Sequence, residues 1–192
     1  MIAIVKYNAG NVRSVENALH RLGFDPVVTD NPDTLQAASK VIFPGVGEAA
    51  TAMTYLRENG LDDVLINLQQ PFLGICLGMQ LMCSHSQEGN TDCLGIFPEK
   101  VKRFSAAEKV PHMGWNEIEN MSGPLFKGLT VGSDVYFVHS YFAEVGSDCI
   151  ATTRYGSPFA AGMARDNFYA LQFHPEKSGG LGQRILENFL KL

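Results

Sequence analysis

No run of apolar residues in this sequence approaches the ~20 that a membrane-spanning helix needs. The residues after Met1 pass directly into a strand-like segment, without the basic-then-apolar opening of a secretion signal. Both absences lead to the expectation of a cytosolic protein. Charge is sparse too. Only 18% of residues are charged, acids outnumber bases 20 to 15, and no basic cluster appears, which argues against a nucleic-acid binder held by phosphate contacts. Cysteine is scarce, with four residues at 76, 83, 93 and 149 and no CxxC pair, so neither a disulfide framework nor a zinc site is indicated. The four are expected as free thiols, and Cys83-Ser84-His85, the closest Cys/His grouping, reads as the buried end of a helix. No metal and no other cofactor is expected. There is no glycine-rich phosphate loop followed by Lys-Ser or Lys-Thr; Gly179-Gly180-Leu181-Gly182 reads as the start of the last helix. Repeats, low-complexity tracts and linkers are also missing, and 192 residues that are 45% hydrophobic fit a single domain spanning residues 1–192.

What is present alternates between two periods. Residues 2–7, 26–29, 40–43 and 72–75 read as short apolar strands. Between them, helices are expected near residues 12–22, 32–38, 48–58 and 62–68, with Val12, Val15, Leu19 and Leu22 at helical spacing and Gly23 as a stop. That alternation predicts an α/β fold with a largely parallel sheet covered on both faces, and sites at the carboxyl ends of its strands. The second half differs. Residues 95–104, 110–119, 135–144, 150–155 and 168–173 read as additional strands in hairpins and mixed pairing, before a final amphipathic helix near residues 181–190.

Gly74-Ile75-Cys76-Leu77-Gly78 has the form G-x-C-x-G between a strand and a helix, the cysteine counterpart of the G-x-S-x-G elbow that lifts a nucleophile above a sheet. The flanking glycines let neighbouring backbone pass close to the turn. The helix behind Cys76 would favour the reactive thiolate, and the Leu77 N–H would be placed for an oxyanion. A small buried cysteine in a glycine-rich turn has the same pattern, so the motif needs a base. Gln172-Phe173-His174-Pro175-Glu176 supplies one. Pro175 biases His174 toward extended backbone, and side chains i and i+2 of extended chain share a face, which lets Glu176 orient the imidazole. A surface turn with an incidental His and Glu is the competing reading. Of the other histidines, His20 is expected on an exposed helix face and His85 at a helix end, while His112 and His139 fall in strands as binding or packing residues.

The elbow followed by this His-Pro-Glu segment resembles the triad (class I) glutamine amidotransferases. Tyr7-Asn8-Ala9-Gly10-Asn11, Pro44-Gly45-Val46-Gly47, Pro111-His112-Met113-Gly114-Trp115-Asn116, Tyr136-Phe137-Val138-His139-Ser140-Tyr141 and His174-Pro175-Glu176-Lys177-Ser178 are together similar to the glutaminase subunits of imidazole glycerol phosphate synthase, of histidine biosynthesis. The resemblance runs in order across essentially the whole chain. It implies a flavodoxin-like three-layer sandwich, a triad of Cys76, His174 and Glu176, and an oxyanion site from Leu77 with Gly45, Val46 and Gly47. Substrate contacts are implied for Gln80, Tyr136, His139, Ser140 and Tyr141. The substrate it implies is L-glutamine, and the partner a (β/α)8-barrel cyclase that consumes the ammonia, faced by Asn11, Ser14, Trp115 and Lys177. One departure stands out: Glu48-Ala49-Ala50 follows Gly47 where a bulky apolar residue is expected. A missing oxyanion donor costs about 3 kcal/mol, so a misoriented Gly45-Val46-Gly47 segment would leave the chain nearly silent until a partner turned it. Glutaminases serving pyridoxal phosphate, purine or anthranilate synthesis are the nearest rivals, and the blocks at Pro111 and Tyr136 argue against them. A cysteine peptidase and a regulatory module with a decayed site are the others; Gln80 disfavours the first and the intact Cys/His/Glu set the second.

Overall fold

The first four strands hold almost no polar side chains; all but the edge strand at residues 27–29 are buried on both faces. They are β1 (Ile2–Val5), β2 (Val27–Thr29), β3 (Lys40–Phe43) and β4 (Phe72–Ile75). The computed structural model describes residues 1–8 and 10–192. Helices α1 (Val12–Arg21), α2 (Pro32–Ala37), α3 (Ala49–Glu58), α4 (Leu61–Ile66) and α5 (Leu77–Met82) connect and follow these strands. In α1 the buried residues are Val15, Ala18 and Leu19, the i, i+3, i+4 stripe of an amphipathic helix. Gly23 ends that helix region at a φ of 83°. Asn31 caps α2 by accepting the Thr34 N–H at 2.9 Å, with Pro32 at the first helical position.

After α5 come β5 (His85–Ser86), β6 (Thr91–Asp92), β7 (Lys100–Arg103), β8 (His112–Glu117), β9 (Asn120–Met121), β10 (Asp134–His139), β11 (Tyr141–Ala143), β12 (Cys149–Tyr155), β13 (Ser157–Arg165), β14 (Phe168–Leu171) and the terminal helix α6 (Gly179–Leu190). The main sheet runs β2-β1-β3-β4-β14-β13-β12-β9. Its pairs from β2 to β14 are parallel and those from β14 to β9 antiparallel. Alternation along the strands sends Ala3, Val5, Val41, Phe43 and Phe72 toward α2 to α5. It sends Ile2, Ile4, Ile42, Leu73 and Ile75 toward α1 and α6. This is the three-layer, flavodoxin-like sandwich expected from the sequence.

Several details differ from expectation. Residues 135–144 are not one strand: the chain breaks at Ser140, so β10 pairs with β8 in a separate ribbon and β11 joins β7 in a small sheet ordered β11-β7-β5-β6. That break carries Ser140 and Tyr141 past the end of β4. The expected strand at 95–104 shrinks to β7. His85 does not end a helix; α5 stops at Met82, and His85 pairs with Asp92 in the small sheet. Strand β13 escaped the sequence reading because both its faces are buried and Pro158 and Gly162 interrupt its pattern. Among the described residues, no helix is long and apolar enough to cross a membrane.

Candidate active site

Cys76 sits between β4 and α5 with φ 53° and ψ −109°, a conformation that disfavours residues with a side chain. Its N–H is tied to the Leu171 carbonyl of β14 at 2.8 Å. The neighbouring glycines are required by contact. A Cβ on Gly78 would lie 1.9 Å from the Phe43 carbonyl oxygen, and one on Gly74 would lie 2.4 Å from the Met82 sulfur and 3.0 Å from the Met79 nitrogen. Helix α5 therefore packs directly on β3 and β4, and that packing sets the angle of the elbow.

His174 follows β14 in extended backbone, φ −97° and ψ 97°. Its N–H donates to the Tyr136 carbonyl at 3.0 Å, and its carbonyl accepts the Ser178 hydroxyl at 2.7 Å. Ser178 Oγ in turn accepts the Tyr136 N–H at 3.0 Å, which clamps the segment to β10. Glu176 does not reach the imidazole along extended chain, as the sequence reading supposed. Pro175–Lys177 form a 3-10 turn, and that curl brings Glu176 Oε1 to 2.7 Å from His174 Nδ1. Both side chains are fully buried. Among the described residues, His174 Nε2 is buried without a hydrogen-bond partner. Burial would depress the His174 pKa, but the Cys76 sulfur and the Glu176 carboxylate outweigh it and raise the pKa to about 10. Burial would raise the Glu176 pKa; its His174 bond and charge, with the Asn11 amide, hold it below the usual value.

Cys76 opens into a cavity of about 190 Å³ lined by Val46, Gly47 and Leu77 on one side and Val138, His139, Ser140 and Tyr141 on the other. Such a volume lies below the ~300–1,000 Å³ of drug-sized sites and suits an amino acid. A larger cavity of about 890 Å³ lies over the small sheet between His85, Lys100, Lys102 and Glu144, away from Cys76 and His174. The Leu77 N–H is not free for an incoming oxyanion: it donates to the Gly45 carbonyl at 3.3 Å. Gly45 is itself confined, since a Cβ there would meet the Tyr7 hydroxyl at 2.2 Å, and that hydroxyl donates to the Pro44 carbonyl at 2.6 Å. Gly47 has a φ of 127°, open only to glycine in practice.

A model of the family described as glutamine amidotransferase class-I matches residues 3–192. The imidazole glycerol phosphate synthase subunit HisH of Bacteroides fragilis is 59% identical over 194 residues, spanning 100% of this chain and 99% of the relative. That of Chloroflexus aurantiacus is 46% identical over 202 residues, at 100% and 95%. The chain belongs to the HisH branch of the class-I glutamine amidotransferases. Solved structures agree on the fold: a crystallised glutamine amidotransferase superposes with a TM-score of 0.77 at 22% identity over 100% of this chain and 98% of that one. PurLQS of Thermotoga maritima gives 0.69 at 16%, over 99% and 97%.

Other residues of this HisH-family chain are placed less as expected. Gln80 lines the cavity but is buried, its Nε2 donating to the Tyr141 carbonyl at 2.7 Å and to Gln172 Oε1 at 3.0 Å. Gln172, given no role by the sequence, points its own Nε2 at the Cys76 sulfur, 3.7 Å away. The Tyr141 carbonyl also accepts His139 Nδ1–H at 2.7 Å. A carbonyl only accepts, so the proton order follows: His139 Nε2 accepts from His112 Nδ1 at 2.9 Å, and His112 Nε2 accepts the Asn116 amide at 3.2 Å. Both rings are neutral, their pKa values pushed by burial down to about 3 for His139 and about 4 for His112. Tyr136 does not line the cavity; its ring stands 5.9 Å from that of Trp115 on the outer face of the ribbon. Trp115 and Lys177 are exposed and Ser14 half-buried. Asn11, expected on a partner-facing surface, is half-buried and directs its amide to Glu176 Oε1. Glu88 was missed altogether. It arrives from a 3-10 turn after β5, lines the cavity and accepts the Ala49 N–H at 2.9 Å. Its only sequence signal was an acid in a short polar loop.

Proposed function

We propose that the chain hydrolyses L-glutamine to glutamate and ammonia through a glutamyl thioester on Cys76. The observation that carries this reading is the meeting of Cys76, at the β4–α5 turn on the wall of an amino-acid-sized cavity, with the His174–Glu176 pair on the segment that follows β14. In this reading the Cys76 thiolate adds to the side-chain amide carbon of glutamine. Protonated His174, held by Glu176, gives its Nε2 proton to the departing nitrogen, and ammonia leaves. His174 then accepts a proton from water, which attacks the thioester and releases glutamate. Glu88 supplies a carboxylate for the substrate's ammonium group, and Gln80 and Ser140 supply polar contacts. Four free thiols suit a reducing cytoplasm.

The HisH relatives are named as subunits of imidazole glycerol phosphate synthase. This supports a partner subunit that receives the ammonia, a (β/α)8-barrel cyclase forming imidazole glycerol phosphate and aminoimidazole carboxamide ribotide. The exposed Met113 and Trp115 on the outer ribbon face support docking there. The Leu77 N–H engaged by Gly45 supports gating: turning that segment would free the oxyanion donor, a change worth about 3 kcal/mol. The test is acid quenching of the turning-over complex followed by peptide mass analysis. A glutamyl adduct on the Cys76 peptide is expected; an adduct on Cys83, Cys93 or Cys149 instead, or undiminished turnover in Cys76→Ala, would overturn the reading.

A further inference from the structure

We propose that Asn11 is a positioning residue for Glu176, holding the carboxylate against His174 so that the imidazole keeps its aim at Cys76. The proposal rests on the triad reading above and deepens it. Asn11 occupies the N-cap of α1, where an asparagine side chain ordinarily accepts an N–H of the first turn. Here it makes no such bond. The Asn11 backbone carbonyl takes the Ser14 and Val15 N–H groups at 3.1 and 3.4 Å, and the side chain is released from capping. Its backbone is left-handed, φ 74° and ψ −3°, a region that asparagine enters more readily than most residues. The freed Nδ2 donates to Glu176 Oε1, a contact between residues 165 apart in sequence.

Two donors therefore converge on one carboxylate oxygen, His174 Nδ1 and Asn11 Nδ2, which stand 3.3 Å apart. Among the described residues, the other oxygen, Oε2, is buried and unpartnered. With Asn11 removed, the only side-chain donor left to Glu176 among the described residues is the imidazole that it must orient. The carboxylate would then follow the ring instead of fixing it. Asn11 is not among the cavity-lining residues; it meets the triad at Glu176 Oε1 and at the adjacent His174 Nδ1.

The left-handed backbone supplies a clean deletion. Glycine adopts φ 74° without strain, so Asn11→Gly removes the amide and leaves the turn intact. Aspartate keeps the shape but puts a second carboxylate against Glu176. The experiment is steady-state glutamate formation by the complex with the proposed cyclase subunit at saturating concentration. Wild type, Asn11→Gly, Asn11→Asp, Glu176→Ala and the Asn11→Gly/Glu176→Ala double variant are compared, with Tm and partner Kd measured for each. Asn11→Gly is expected to lower kcat about 10- to 100-fold while KM for glutamine and Tm hold. Asn11→Asp is expected to fall further. In the Glu176→Ala background, removing the amide should cost no more than about twofold, since residues that act as a unit are not additive. An unchanged kcat for Asn11→Gly, losses that multiply in the double variant, or a loss confined to partner Kd would overturn the proposal while leaving the triad standing. Wild-type kcat in Glu176→Ala would overturn the triad reading, and the proposal with it.

Discussion

Replacing Gly78 by alanine is expected to destabilise the protein, whereas Gly180→Ala, the same change in another helix, is expected to stabilise it. Alanine is better than glycine by about 0.8–1.0 kcal/mol in a helix interior, and both positions share in that gain. At Gly180 nothing lies within 4 Å of the added Cβ, so the gain stands, reduced by the position's place in the first turn of α6. At Gly78 the Cβ would lie 1.9 Å from the Phe43 carbonyl oxygen and 2.9 Å from its carbon, both backbone atoms that cannot swing aside. Helix α5 and strand β3 must part, and overpacking of that kind costs about 1–3 kcal/mol or more. In a chain of this length, 1 kcal/mol moves Tm by about 2–4 °C. With rigid backbone on both sides the cost sits at the upper end, about 2–3 kcal/mol less the helix gain, so the Gly78→Ala melt should fall by about 2–8 °C, and the Gly180→Ala melt should rise by up to about 3 °C. Circular dichroism or calorimetry of the isolated chain reads both. Parting α5 from β3 also moves Cys76 and the Leu77 N–H, so glutaminase activity should fall with stability in Gly78→Ala alone. Equal shifts in the two variants, or an unchanged Tm for Gly78→Ala, would refute the claim that close backbone contact shapes the elbow.

The His174 pKa of about 10 lies above the ~6.5 of a free imidazole. The stability it contributes is complete below about pH 6.5 and is lost as pH rises toward 10. Cys76→Ala removes one source of the rise, so its Tm should decline less than wild type over that range; superimposable profiles would contradict the assignment. Glu88→Gln should raise KM for glutamine severalfold with little change in kcat, because the carboxylate lines the cavity and its proposed role is to hold the substrate's ammonium group. A lowered kcat at unchanged KM would place Glu88 in the chemistry instead. Gln80→Leu strips Gln172 Oε1 of its donor, at about 1–3 kcal/mol for an orphaned buried group, while the Tyr141 carbonyl keeps His139 Nδ1–H. A lower Tm and a higher KM are expected, and neither changing would remove Gln80 from the cavity's framework.

Most of the sandwich was legible in the sequence because its first half writes each element in a distinct period. Strands β3 and β4 have the expected bounds, and α1 buries the stripe its spacing announced. The second half was harder for a physical reason. Strand β13 is buried on both faces and built largely of small residues, so it shows neither alternation nor bulk. The break at Ser140 leaves no breaker residue to read, since pairing with two different sheets, β8 on one side and β7 on the other, decides it. At the site, Cys76, His174 and Glu176 stood out through local motifs. Gln172, Glu88 and Asn11 did not, because each acquires its place through a contact across the fold. The bond from Asn11 to Glu176 depends on a left-handed N-cap that pattern reading has no means to anticipate.

Cys76, served by His174 and Glu176, is proposed to hydrolyse glutamine for a partner subunit. Glutamate formed from L-glutamine should be measured for the purified chain alone, and then with a cyclase subunit and its ribonucleotide ligand, with Cys76→Ala as the control. Strong activity is expected in the complex, little in the isolated chain, and none with Cys76→Ala in either state. Glutamate production by the Cys76→Ala complex at the wild-type rate would contradict that role for Cys76 outright.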